Sequence, residues 1–144
     1  MKIRRANLED IPNIVRLEHQ VFEETLGESF LYDELSRNPF ARMYILEDQN
    51  NFIGFIGLRV DDQAELMNFA IVPKYQHKGY GKALLTHVLK ELQTEGIKML
   101  SLEVRQSNKQ AQAFYEKMGF TVSHIRKKYY KHEDALVYVL EVKS

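Results

Sequence analysis

Around Pro73 the hydrophobic pattern of this chain changes period, and a glycine-bearing turn follows at once. Before that point three apolar segments, residues 43–47, 52–60 and 64–72, are separated by the polar clusters 48–51 and 61–63. Short segments with tight polar turns describe a meander of antiparallel strands. After it, residues 79–95 place Ala83, Leu84, Val88, Leu89 and Leu92 at helical spacing, and Gly96 stands where a helix-closing glycine belongs. The chain must therefore pass from sheet to long helix through residues 76–82, Gln-His-Lys-Gly-Tyr-Gly-Lys. The first N–H groups of a helix have no intrahelical partner, and the helix dipole adds partial positive charge beside them. Such a turn suits a phosphate or pyrophosphate group. Gly79 and Gly81 would admit a positive φ and a close anion, with Lys78 and Lys82 at the rim. The same two glycines would equally serve a plain tight turn. The Gly-Lys-Ser/Thr ending of a nucleotide-binding P-loop is missing, and so is the third glycine of a dinucleotide fingerprint.

The rest of the chain extends this pattern. Residues 2–5 read as a strand, and Asn7, Glu9, Asp10 and Pro12 read as a helix start. Ile11, Ile14, Val15, Leu17, Val21 and Phe22 follow as an apolar stripe. A loop over 25–29 leads to a short helix over 30–37, which ends before Pro39. Beyond the long helix come a strand at 99–104, a helix at 108–117 closed by Gly119, and strands at 120–128 and 135–142. Between those last strands lies a basic loop bearing Tyr129 and Tyr130. The order predicts one α+β domain over residues 1–144, with a mixed, mostly antiparallel sheet of about seven strands and about four helices.

Composition narrows the function. The 144 residues carry 20 basic and 20 acidic side chains, so formal net charge is zero. That lacks the basic footprint of a general nucleic-acid binder. With no cysteine there is no thiolate nucleophile, disulfide or thiolate metal site. The five histidines are scattered without metal-ligand spacing, so no metal is expected. No apolar run reaches membrane-spanning length and no signal core follows the N-terminus, so a cytoplasmic protein is expected.

Residues 76–81, preceded by Asn68-Phe69-Ala70-Ile71-Val72-Pro73, resemble the Gln/Arg-x-x-Gly-x-Gly/Ala signature of the GCN5-related N-acetyltransferase (GNAT) superfamily. Leu102-Glu103-Val104-Arg105-x-Ser107-Asn108, then Phe114-Tyr115-Glu116-x-x-Gly119-Phe120, then Tyr129-Tyr130 ahead of Glu133-Asp134-Ala135, resemble its bacterial ribosomal-protein alanine N-acetyltransferase branch. The resemblance covers nearly the whole chain. Residues 24–27, Glu-Thr-Leu-Gly, depart from the Pro-Trp pair of many members, in a loop that shapes the acceptor groove.

The resemblance implies acetyl-CoA as cosubstrate and an amine as acceptor, most closely the α-amine of an N-terminal alanine on a ribosomal protein. It implies cofactor contacts at Phe69, Ala70, Ile71, His77, Lys78, Gly79, Tyr80, Gly81, Lys82 and Asn108. It implies Glu103 as general base and Tyr115 as general acid for direct transfer. Alternation along 100–104 takes Glu103 off the apolar face of its strand, which alone fits a solvated carboxylate equally well. Phe114 and Met118, at i and i+4, are expected to form the buried stripe of their helix, with Tyr115 offset from it. A phenol with pKa near 10 can donate a proton to a departing thiolate. Tyr129 and Tyr130 are expected to line the acceptor path. Glu18, Glu23, Glu24 and Glu28 gather near the first helix–helix loop and could attract a cationic peptide, or simply face solvent. Direct RNA binding is not expected, and a monomer or weak dimer is. Other amines (polyamines, aminoglycosides) and a non-catalytic acetyl-CoA-binding module are the competing readings.

Overall fold

The computed structural model describes residues 1–22, 24–130 and 132–143. Its strands are β1 (Lys2–Arg5), β2 (Ala41–Asp48), β3 (Asn51–Val60), β4 (Ala64–Ile71), β5 (Met99–Arg105), β6 (Thr121–Tyr130) and β7 (Glu133–Glu141). Its helices are α1 (Ile11–Val21), α2 (Glu28–Arg37), α3 (Tyr80–Thr94) and α4 (Lys109–Lys117). A short 3₁₀ turn, Leu8–Asp10, precedes α1 and is closed by a capping box between Asn7 and Asp10. The helix start read at Asn7 is this turn. Helix α2 begins at Glu28, two residues before the sequence pattern suggests, with Gly27 at φ 89° as the hinge.

The seven strands form one sheet in the order β1-β2-β3-β4-β5-β7-β6. Every neighbouring pair is antiparallel except β4 and β5, which run parallel. That parallel pair holds only at Ala64↔Leu100 and Glu65↔Ser101. Past Glu65 the two strands separate. The cause is local: Leu58 pairs Leu66 and Gly57 pairs Asn68, so Met67 is an extra residue in β4. A bulge bends and twists its strand. It also reverses the facing of the residues beyond it.

Apolar side chains pack on both sides of the sheet. On one side Leu84, Leu85, Val88 and Leu92 of α3 and Tyr115 of α4 meet Leu100, Leu102, Val104 and Tyr138. On the other, Ile11, Ile14 and Leu17 of α1 and Leu31 of α2 meet Met43, Ile45, Phe55 and Ala70. Among the described residues, helices α1 and α2 make their main contacts with β2, β3 and β4, and neither makes a comparable contact with β5, β7 or β6. Strand β6 forms an edge of the sheet, exposed along nearly its whole length, with charged residues 126–128 that discourage pairing with another chain.

Candidate active site

The separation of β4 from β5 creates a cleft of about 550 Å3, bounded by the end of β4, the start of α3 and one face of α4. Phe69, Ala70 and Ile71 line it. Their β5-facing edge has no strand partner past Glu65, which leaves backbone groups available to an extended ligand. At the mouth, Gln76 Nε2 donates to the carbonyl of Ile71 at 3.0 Å and folds the turn back onto β4. His77 and Gly79 both take positive φ, 62° and 90°. Gly79 is the N-cap of α3, so the free amides of that helix open into the cleft.

The two glycines differ in what they do. A Cβ on Gly79 would meet nothing, so its left-handed backbone is what requires glycine. A Cβ on Gly81 would make ordinary 3.7 Å contacts with Phe114 and Phe69. Gly81 is thus not demanded by the protein's own packing. Gly79→Val is expected to weaken acetyl-CoA binding about tenfold: a branched residue costs about 1–3 kcal/mol in the left-handed region, so the free turn relaxes to another conformation and binding must restore it, with tenfold equal to about 1.4 kcal/mol. Calorimetric titration measures it; unchanged affinity would show that the turn does not bind phosphate.

Of the residues read from sequence as cofactor contacts, Phe69, Ala70, Ile71, His77, Gly79, Gly81, Lys82 and Asn108 line the cleft, and Lys78 and Tyr80 do not. Lys78 is exposed at the tip of the turn. The Tyr80 side chain turns away: its hydroxyl donates to Asp48 Oδ2 at 2.7 Å and its ring meets Tyr75 edge-on. Tyr80 therefore ties the start of α3 to the β2–β3 turn. Asn108 caps α4, its Oδ1 accepting from Ala111 N at 3.1 Å, while also facing the cleft.

The packing of α4 reverses the expectation for its aromatic residues. Tyr115 and Gln112 are the buried positions, while Phe114 and Met118 are only half-buried and line the cleft. Phe114 stacks edge-on against Phe69 across it, with centroids 5.9 Å apart. The i, i+4 rule gives a face but not which face meets the core, and α4 turns Tyr115 inward among Phe120 and Tyr138. Tyr115 still reaches the cleft wall. Burial drives its pKa well above the ordinary phenol value, and the nearby Tyr130 adds to the rise. It stays protonated throughout the physiological range.

Glu103 lies on the opposite face of β5 from Leu102 and Val104 and outside the cleft lining. It stands on the open side, with Val137 of β7 in register beside it. Arg126 Nη1 donates to its Oε1 at 2.6 Å. The Tyr130 hydroxyl donates to the Glu103 backbone carbonyl at 3.4 Å. Tyr129 and Tyr130 belong to β6, not to a loop: the strand runs on through a bulge at 127–129, and β7 begins at Glu133. Burial raises Tyr130 to about 12, with Glu103 contributing next. The hairpin is pinned to the start of α4 by Glu133, which accepts from Ser107 N at 3.0 Å and Ser107 Oγ at 2.9 Å.

The acidic group near the α1–α2 loop divides. Glu24 and Glu28 are exposed, and Glu23 lies outside the described residues. Glu18 is fully buried, and burial raises its pKa against the pull of the Leu26 and Gly27 amides. Its Oε2 accepts from Asn68 Nδ2 at 3.5 Å, and Gly57 leaves room for that amide, since a Cβ there would sit 2.1 Å from Asn68 Oδ1. Glu18 is therefore part of the frame under the loop rather than a surface attractant. Among the described residues no cluster of histidine and carboxylate side chains forms a metal site, and no helix is long and apolar enough to cross a membrane.

The sequence profile of the acetyltransferase (GNAT) family matches residues 8–120. A relative from Bacillus subtilis (strain 168), named a putative ribosomal protein bS18-alanine N-acetyltransferase, is 35% identical over 138 residues, covering 94% of this chain and 91% of its own length. The crystal structure of the ribosomal-protein-S18-alanine N-acetyltransferase from Escherichia coli superposes with a TM-score of 0.91 at 31% identity, covering 99% of this chain and 94% of that one. The N-acetyltransferase PaiA of Thermoplasma acidophilum, solved with coenzyme A, shares the fold at 24% identity, a TM-score of 0.81, and coverage of 97% and 98%. With that family match and that relative, this chain belongs to the GNAT acetyltransferase family.

Proposed function

We propose that the protein transfers the acetyl group of acetyl-CoA to a protein α-amine, with the N-terminal alanine of a ribosomal small-subunit protein as acceptor. The observation that carries the donor half is the parting of β4 and β5 beside the glycine-capped start of α3. Phosphates would sit at the free amides near Gly79 and Gly81, beside Lys82, while Phe69 to Ile71 and Asn108 would hold the arm. The donor supplies an activated acyl carbonyl and a thiolate leaving group.

The acceptor half rests on the open face of β5, β7 and β6, where Glu103, Tyr129 and Tyr130 stand together on the far side of the same gap. In this reading Glu103 takes a proton from the incoming ammonium, directly or through water, and the neutral nitrogen then attacks. The C–N bond forms as the C–S bond breaks; the nitrogen releases its second proton on becoming an amide, and the departing thiolate takes up a proton through Tyr115 or from solvent. Tyr115 faces the departing sulfur. With its pKa raised, Tyr115 is a poorer proton donor than a free phenol, so its main contribution is a hydrogen bond to the developing thiolate. An α-amine suits this site chemically: its reference pKa is about 7.7–8.0 against about 10.4 for lysine, so it needs less help to become neutral. The relatives' names support the same acceptor.

Thiol release with acetyl-CoA across alanine-initiated ribosomal peptides, lysine peptides, polyamines and aminoglycosides tests the reading. The alanine-initiated peptides are expected to give the highest kcat/KM, by about tenfold or more. Turnover of polyamines alone would overturn the acceptor assignment.

A further inference from the structure

The open face of β5 and β6 already carries a cation, and it belongs to the protein. The Arg126 guanidinium bonds Glu103 at 2.6 Å and lies 4.1 Å from the centroid of the Tyr129 ring. Glu65, at the last paired position of β4 and β5, adds a second carboxylate to the field on that guanidinium. The Tyr129 phenol lies close to the same Glu103 carboxylate. Two carboxylates and an aromatic face form a socket for a positive group.

The backbone delivers Arg126 there by a specific device. Between the pairs Arg126↔Ala135 and Tyr130↔Glu133, residues 127–129 of β6 oppose Asp134 alone. Lys128 takes φ 51°, and its amide donates to Asp134 Oδ1 at 2.7 Å. Lys127 is drawn to the same carboxylate at 3.6 Å. This bulge turns Tyr129 back under Arg126. The outer edge of β6 pairs with no strand in the sheet order, so the hairpin can shift without breaking a second ladder.

An amine arrives at neutral pH largely as an ammonium, and on the reading of Glu103 as base it must occupy the position that the guanidinium holds. We infer that Arg126 is an internal competitor of the acceptor: it holds Glu103 in the resting enzyme and is displaced when a cationic amine enters. This inference rests on that role for Glu103. The Arg126 side chain is 48% exposed, so the pair is weak enough to exchange for another ion pair. Displacement also selects: an acceptor without a positive amino group has no means of removing the guanidinium.

Two measurements on Arg126→Ala test this. The first needs no acceptor. Methylguanidinium, titrated against the folded protein by NMR, is expected to bind Arg126→Ala at least about fivefold tighter than the wild type, and adding Glu103→Gln is expected to abolish the gain. The second uses an alanine-initiated peptide: its KM is expected to fall about three- to tenfold in Arg126→Ala, with methylguanidinium competitive against the peptide. Equal methylguanidinium binding by both proteins overturns the inference, as does a KM that stays level or rises. If methylguanidinium fills the socket but no peptide is ever turned over, the acceptor assignment fails while the occupancy of the socket by Arg126 stands.

Discussion

Glu103→Gln is expected to lower kcat/KM for an alanine-initiated peptide about 100- to 1,000-fold at pH 7, while acetyl-CoA affinity stays within about twofold. A positioned general base contributes on the order of 10²–10⁴. The lower part of that range applies, because an α-amine is already partly neutral at pH 7. The isosteric amide keeps the shape of the site but cannot accept a proton. Cofactor affinity is expected to be spared because Glu103 lies outside the cleft proposed for the donor. The defect has a pH signature. Below about pH 8 the acceptor is an ammonium and must lose a proton, so the variant suffers most there; above that pH the amine is neutral without help, and the two rates converge. Steady-state kinetics from pH 6 to 9.5, with calorimetry for acetyl-CoA, measure both halves. A loss that is uniform across pH would make Glu103 a positioning group. No loss at all would remove it from the chemistry. Stability is expected to change little, since Arg126, its partner, is half exposed and such pairs contribute about 0–1 kcal/mol.

The features legible in the sequence are mostly local ones. The geometry of the glycine turn is legible because its requirements are contiguous: a strand end, a glycine at positive φ and a helix start fall within residues 71–81. The alternation that takes Glu103 off the apolar face needs only its own strand. Reading fails where the deciding partner is distant. Whether Phe114 or Tyr115 is buried depends on how α4 rolls against Tyr138 and Phe120, and helical spacing is silent on that. Tyr129 and Tyr130 look like loop residues because a run of charge and aromatics breaks the alternation; a three-residue bulge opposite Asp134 keeps them in strand β6. Tyr80 sits inside the motif, yet its side chain serves Asp48, 32 positions earlier. Glu18, at the end of an amphipathic stripe, reads as surface acid because its partner Asn68 is 50 positions away.

Gly54 and Gly57 mark strand β3, and in a strand interior glycine often signals a close backbone approach. The structure supplies the partner at Gly54: a Cβ there would lie 2.5 Å from the carbonyl oxygen of Ala70 and 2.7 Å from Ile71 Cδ1. The first contact is with backbone, which cannot swing aside as a side chain can. Gly54→Ala must therefore push β3 from β4 along the Gly54↔Ile71 pairing or shift the Ala70–Ile71 peptide. Forced overpacking of this kind costs about 1–3 kcal/mol. At about 2–4 °C per kcal/mol for a domain near this size, the melting temperature is expected to fall by about 2–12 °C. The same peptide unit lines the cleft proposed for the donor, so acetyl-CoA affinity is expected to drop at least about fivefold in protein that is still folded. If Gly54→Ala loses stability but binds acetyl-CoA normally, β4 absorbs the methyl without moving the cleft wall. If both fall together, the position of β4 is set from behind by a residue that never touches the donor, and the gap that defines the site is held open by the absence of one side chain in the next strand.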